Sequence, residues 1–402
     1  MPENHRVVII GAGQAGLCLS NELTCAGTEH VILEQGKIGE AWRRRWDGFC
    51  LVLPNWTIRL SGRPYSGPDP DGYMRRDDII RYLEDYAKTS AAPVLEGVSV
   101  TAVKKEPGEG FTLETSAGDI MAQDVVIASG GYQKPNRPPR ADQFPESLTV
   151  LDVDQYRRPD ALPPGNVLVI GSGQSGCQIA EDLATAGRGV YLSCGKAGWL
   201  PRRIEGRDVA AWLEGTSFWN ATMADLPGPR GRLSANPQLS GRDGGHDLHY
   251  RTLQKTGVHL LGHFADVKEG KARFLPDLAE CVAWGDARYH ELYGMIRTAA
   301  SARGERPPKT VDPPPFSADT PESIGLGGFG AVVVTSGFRP DYSWAGMPEA
   351  FDDLGFPIQR DGSSTVVAGL HFMGVHFQRN RASATLYGVG EDAAVLSRTL
   401  TS

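Results

Sequence analysis

The sequence predicts an α/β fold carrying two dinucleotide-binding units, and three observations support that prediction. Gly11-Ala-Gly13-Gln14-Ala15-Gly16 has the form GxGxxG and comes after the apolar run Val7-Val8-Ile9-Ile10. Gly171-Ser-Gly173-Gln174-Ser175-Gly176 repeats the form after Val167-Leu168-Val169-Ile170. Each motif leads on to a second short apolar run, Val31-Ile32-Leu33 and Val190-Tyr191-Leu192, as a strand–turn–helix–strand unit requires. One glycine-rich turn is weak evidence. Two in matching context predict two Rossmann-like units and electron traffic between two nucleotides.

The first unit covers about residues 5–35. In each motif the first glycine permits the tight turn, the second lets backbone approach a pyrophosphate, and the third lets helix pack on strand. Between Arg76 and Lys88 the apolar residues Ile79, Ile80, Leu83 and Tyr86 recur at helical spacing behind Asp77 and Asp78, acids suited to a first turn. Alternating runs at Val98–Lys104 and Phe111–Thr115 predict a hairpin. Asp124 to Gly131 reads as a buried strand ending in small residues, and prolines mark linkers at 135–139 and 157–165. Residues 225–250 and 307–315 predict irregular structure. Ala331 to Gly337 repeats the strand ending of 125–131, and a helix is expected from about Gly388 onward.

The residues at the end of each unit's second strand separate the two sites. Glu34 ends that strand in the first unit, where a carboxylate accepts a ribose hydroxyl; the site reads as FAD or NAD. Its counterpart ends in Ser193-Cys194, with Lys196, Arg202 and Arg203 close behind. Cations there attract a 2′-phosphate that an acid would repel, so the second site reads as NADPH, preferred over NADH.

Composition narrows the class. At 402 residues with 40% hydrophobic content the chain is long enough for two or three domains with a sizeable core. A formal charge of −7 argues against a nucleic-acid partner. No apolar run is long enough to span a membrane, and the first strand begins almost at once. A soluble, cytoplasmic protein is expected, with homo-oligomers compatible with the sequence. The six cysteines include no CxxC or CxxxxC pair, which argues against a disulfide reductase. His246, His249 and His263 lack further ligands at zinc spacing, so no metal is expected.

These motifs resemble the flavin-containing monooxygenase superfamily, its single-component class using FAD and NADPH, and most closely its bacterial members and plant auxin-forming branch. The resemblance is carried by both GxGxxG runs, Gly39-Glu-Ala-Trp42, the endings Ala128-Ser-Gly130 and Thr335-Ser-Gly337, and Gly388-Val-Gly-Glu-Asp-Ala-Ala393. It spans nearly the whole chain. It implies a discontinuous FAD domain (1–160 and 326–402) with the NADPH domain (161–325) inserted. Gly11, Gly13, Gln14, Ala15 and Gly16 would hold the FAD pyrophosphate, Glu34 the ribose beside Gln35, and Trp42 and Arg43 would lie next to the cofactor. Gly171, Gly173, Gln174, Ser175 and Gly176 would hold NADPH, with Lys196, Arg202 and Arg203 toward its 2′-phosphate. Asn55, in Leu53-Pro54-Asn55-Trp56, stands near the family's flavin-facing asparagine and is the catalytic candidate.

The activity so implied is NADPH- and O2-dependent oxygenation of a small organic substrate through a C4a-(hydro)peroxyflavin. N- or S-oxygenation is favoured over Baeyer–Villiger or decarboxylative chemistry. One departure stands out: Asp152 takes the place of the histidine expected in the family fingerprint, although Tyr156 and Pro159 fit. That favours a rival, an NADPH oxidase or reductase passing electrons to O2 or another acceptor without oxygen insertion. A second rival, a non-catalytic nucleotide-binding scaffold, is disfavoured by the intact glycines of both motifs.

Overall fold

The computed structural model describes residues 3–108, 110–234 and 236–401. Its first sheet is built on Glu3–Ile10, whose Val7, Val8 and Ile9 are wholly buried because helices and loops cover both faces. This strand pairs in parallel with His30–Glu34 on one side and Ile120–Ile127 on the other. Val94–Glu96 extends one edge and Leu370–Phe372 the other. The expected hairpin forms from Val100–Lys105 and Phe111–Thr115 and joins antiparallel to Ile120–Ile127. Helices Gln14–Cys25, Arg76–Thr89 and Val389–Thr401 pack against this sheet through a shared apolar cluster including Leu17, Leu83 and Leu396.

The second sheet is parallel throughout, in the order Thr149–Asp152, Phe329–Val334, Asn166–Ile170, Val190–Ser193, His259–Leu261. Two of its strands fall outside the 161–325 segment expected of the inserted unit. Thr149–Asp152 precedes that segment and Phe329–Val334 comes after it, so the sheet closes on strands from both of its flanks. Ala331–Val334 is wholly apolar and pairs on both sides, as a central parallel strand does.

Two features go beyond the sequence expectations. Leu278–Ala302 is a 25-residue helix, and residues 264–274 form a hairpin that pairs with Ser323–Gly325. Where the chain crosses between the units, Lys134–Pro135 pairs antiparallel with Phe338–Arg339. The two crossings thus form one ribbon.

Candidate functional site

Both motif turns meet the demands that glycine imposes. Gly11 and Gly171 have φ of +113° and +102°, and a Cβ on either would lie 2.8 Å from a carbonyl oxygen, that of Ala128 or Thr335. A Cβ on Gly16 or Gly176 would sit 2.0 Å from the carbonyl oxygen of Gly11 or Gly171, so neither position admits a side chain. At Gly13 the opposite holds: a Cβ would meet nothing within 4 Å, leaving open space against the backbone. Gly13 and Gly173 begin helices Gln14–Cys25 and Gln174–Thr185 without a capping side chain. Uncapped N–H groups, facing open space at Gly13, fit a pyrophosphate.

Around the first turn the expected residues converge. Glu34 is buried, not a solvated strand-end acid; its Oε2 accepts from Ala12 N–H at 2.8 Å and its Oε1 from Gly36 N–H at 2.8 Å. Each oxygen keeps a lone pair for a ribose hydroxyl. Gln14 accepts from Trp42 Nε1–H at 3.0 Å and donates to the Ala384 carbonyl, tying the motif to Trp42 and to the loop before the last helix. Gln35 is exposed beside Glu34. Arg43 turns to Glu84 and to the Ile38 carbonyl, so its charge is paired on the flank.

Asn55 does not present a free amide. It is buried, its Nδ2 donating to the Asp69 carbonyl at 2.9 Å and its Oδ1 accepting from Met74 N–H at 2.8 Å. Both ends of the side chain staple the 69–74 loop.

The second turn is braced differently. Gln174 bonds both the N–H and the carbonyl of Leu239. Ser172 Oγ accepts from Gly195 N–H at 2.8 Å and pairs with Tyr250 OH at 2.6 Å, while Tyr250 donates on to the Gly195 carbonyl. Gln238 Nε2 donates to the Ser172 carbonyl at 2.7 Å. Ser175 lies on the first turn of the motif helix, half-buried.

Arg202 corrects the cationic reading of this site. It is 1% exposed, paired with Asp208 at 2.6 Å and donating to the Val52 carbonyl, so its charge is consumed inside the protein. Arg203 donates to the carbonyls of Gly244 and Gly245 from an exposed hairpin. Lys196 is exposed and has no hydrogen-bond or ion-pair partner among the described residues.

The three histidines do not converge either. His246 pairs with Glu181. His249 is buried against Trp199, its ring 4.3 Å away, and burial pushes its pKa down to about 4. His263 meets Asp277 and Cys281, with Nδ1 2.7 Å from Asp277 Oδ2 and 3.6 Å from Cys281 Sγ.

A cluster that the motifs did not announce lies at the crossing between the units. Arg45 sits over the rings of Tyr132, Phe338 and Phe49, and Tyr132 OH meets His376 Nε2 at 3.1 Å. Burial lowers the pKa of His376. Nearby, Asp152 is held bidentately by Arg137 Nε and Nη2, at 2.8 and 3.0 Å.

The sequence pattern of the pyridine nucleotide-disulphide oxidoreductase family matches residues 8–217, just over half of the chain. The chain belongs to that family. An uncharacterised CzcO-like oxidoreductase of Geobacillus kaustophilus is 31% identical over 97% of this chain and 96% of its own length. An indole-3-pyruvate monooxygenase of Oryza sativa, YUCCA4, is 30% identical over 44% of each chain. A double variant of a flavin monooxygenase from Stenotrophomonas maltophilia shares the fold at TM-score 0.70 and 20% identity, over 99% of this chain and 98% of its own. Its fold is thus shared with a flavin monooxygenase, and its sequence in part with an indole-3-pyruvate monooxygenase. Among the described residues, no helix is long and apolar enough to cross a membrane.

Proposed function

We propose that this oxidoreductase is an NADPH- and O2-dependent flavoprotein monooxygenase, with FAD on the first turn and NADPH on the second. One observation carries the reading: a single chain holds two turns with uncapped helix starts, and only the first ends its second strand in a buried carboxylate. When bound, the two cofactors supply hydride transfer and oxygen activation. The protein supplies the rest. Gly11, Gly13 and Gly16 would bring backbone against one pyrophosphate, Glu34 would accept the ribose hydroxyl, and the ribbon of Lys134–Pro135 and Phe338–Arg339 sets one unit against the other. Tyr132, Phe338 and His376 line the crossing, and Arg45 gives it positive charge. The start of helix Val389–Thr401 would offer a positive dipole end to a bound flavin.

The thiols support oxygenase over disulfide chemistry. All six cysteines are free and five are buried, with burial raising Cys18 to about 12 and Cys50 and Cys281 to about 11. A buried thiol of that kind is a poor nucleophile. The substrate is a small organic molecule, with a soft amine nitrogen or sulfur as the favoured acceptor. A cytoplasmic location goes with this reading, and the elution mass of the same preparation reports whether copies associate.

The second reading, an NADPH oxidase or reductase, draws support from Asp152. An aspartate bound to Arg137 cannot donate the hydrogen bond that a histidine would. The deciding experiment balances NADPH and O2 consumed against hydrogen peroxide and oxygenated product, across a panel of amines, sulfides and ketones. Product formed one-to-one with NADPH, carrying 18O from 18O2, supports the monooxygenase. Quantitative peroxide with every substrate supports the oxidase.

A further inference from the structure

We propose that His263, held by Asp277, acts with Lys196 to select the 2′-phosphate of the nucleotide on the second turn; this rests on that turn taking NADPH. The register of the two units locates the position. Gly11 N–H donates to the Leu33 carbonyl and Gly171 N–H to the Ser193 carbonyl. Ser193 therefore stands where Leu33 does, and Cys194 stands where Glu34 does. Cys194 is wholly buried, so it offers nothing to a ribose. The next residue is Gly195, and a Cβ there would come within 3.1 Å of His263 Nε2. By the same register Gly195 stands where Gln35 does, so the imidazole edge lies against the residue next to the position of the first unit's carboxylate.

Asp277 fixes that edge. Its Oδ1 accepts from His263 N–H at 3.0 Å and its Oδ2 lies 2.7 Å from Nδ1, so Nε2 is the edge left for a ligand. The His263 side chain is 43% exposed. A protonated imidazole donates from Nε2 to a phosphate, whereas the neutral ring, with its proton on Nδ1, can only accept from a 2′-hydroxyl. The groups on the ring are Asp277, at the start of the long helix, and Cys281 within it; Glu280 and Lys196 act on Cys281, and Tyr250 donates to the Gly195 carbonyl. Of these only Lys196 adds positive charge.

The test uses the flavin-loaded protein and calorimetric titration with NADP+, NAD+ and 2′,5′-ADP. His263→Gln is expected to weaken NADP+ and 2′,5′-ADP binding about tenfold and leave NAD+ unchanged. Lys196→Ala, at an exposed position, is expected to weaken NADP+ a few fold. Wild-type preference for NADP+ retained in His263→Gln overturns the inference. Should that variant not fold, wild-type preference retained in His263→Asn overturns it equally. If the wild type binds neither dinucleotide, or both alike, the NADPH assignment itself fails and the inference falls with it.

Discussion

The two nucleotide turns of this chain share their glycines and differ in what braces them. In both, the third glycine lies so close to the first that a methyl group would meet a carbonyl oxygen at 2.0 Å. Yet the first turn is held from the strand end, by a carboxylate that takes N–H groups from Ala12 and Gly36. The second is held from the turn itself, by the Ser172 hydroxyl with Tyr250 and Gln238. Backbone geometry specifies that a dinucleotide binds. On the proposed reading, the residues beside each turn decide what charge its ribose would meet: an acid in the first unit, and an imidazole and a lysine in the second.

The strongest way to break this comparison is to fill each third glycine. Gly16→Ala and Gly176→Ala should each destabilise their own unit by about 3 kcal/mol or more, because backbone and not a flexible side chain blocks the methyl group. Gly16→Ala is expected to purify without flavin. Gly176→Ala is expected to keep flavin and lose NADP+ binding. Absorbance at purification and calorimetry separate the two, and flavin loss from both variants would mean that the units do not fold independently.

The braces are the next target. In Glu34→Gln one carboxylate oxygen becomes an NH2 facing a backbone N–H, leaving a buried donor without an acceptor; about 2–3 kcal/mol of stability should be lost. Ser172→Ala removes the acceptor of Gly195 N–H, at about 1–2 kcal/mol. Denaturant melts should show that order, with flavin retention reduced by the first change and unaffected by the second.

The units also differ in their response to acid. His249 has its pKa lowered from 6.5 to about 4 by burial. The unfolded chain takes up a proton that the folded chain refuses, so stability present above pH 6.5 is lost as pH falls toward 4. Asp392, at the start of the last helix, has its pKa raised from 3.8 to about 6 by burial, with Arg379 only partly opposing. Its contribution is full below pH 3.8 and is lost as pH rises through 6. Each amounts to about 2–3 kcal/mol. Hydrogen exchange between pH 4 and pH 7 should show 246–255 opening in acid and 389–401 tightening. His249→Gln and Asp392→Asn should remove the respective slopes.

Much of this arrangement is legible in the sequence. The glycine spacings, the β-branched runs and the 3.6-residue period of Arg76–Thr89 each reflect a local steric rule, so local reading finds them. The helix Leu278–Ala302 has an equally regular buried face, through Leu278, Cys281, Gly285, Tyr289, Tyr293, Ile296 and Ala300. It is hidden from such a reading because that face is built from small, thiol and phenolic side chains, which a hydrophobic count undervalues. Arg202 misleads for a related reason. Arginine is exposed by default, and only the fold brings Asp208 and the Val52 carbonyl to it. Tyr250 and Gln238 reach Ser172 from distant sequence, so no motif could have announced them. Asn55 has the expected residue type at the expected place, but the 69–74 loop takes both ends of its amide.

The smallest expected effect tests how the two units are joined. Arg137 lies in the proline-rich linker and Asp152 ends the edge strand of the second sheet, so their bidentate pair ties one crossing to the other unit. The pair is partly exposed, and Asp152→Asn should cost only about 0.5–1 kcal/mol of global stability. Its effect on coupling should be larger than its effect on stability. If the pair holds the linker in register, the variant loosens the ribbon of Lys134–Pro135 with Phe338–Arg339, and amides near 134–139 exchange faster. The share of NADPH recovered as hydrogen peroxide should then rise while the melting temperature barely moves. A variant with unchanged peroxide yield and unchanged exchange would show that the crossing is set by the ribbon's own backbone bonds, such as Asn136 N–H to the Gly337 carbonyl at 2.9 Å. In that case the aspartate found in place of a histidine would be a surface substitution with no hold over the traffic between the two sites.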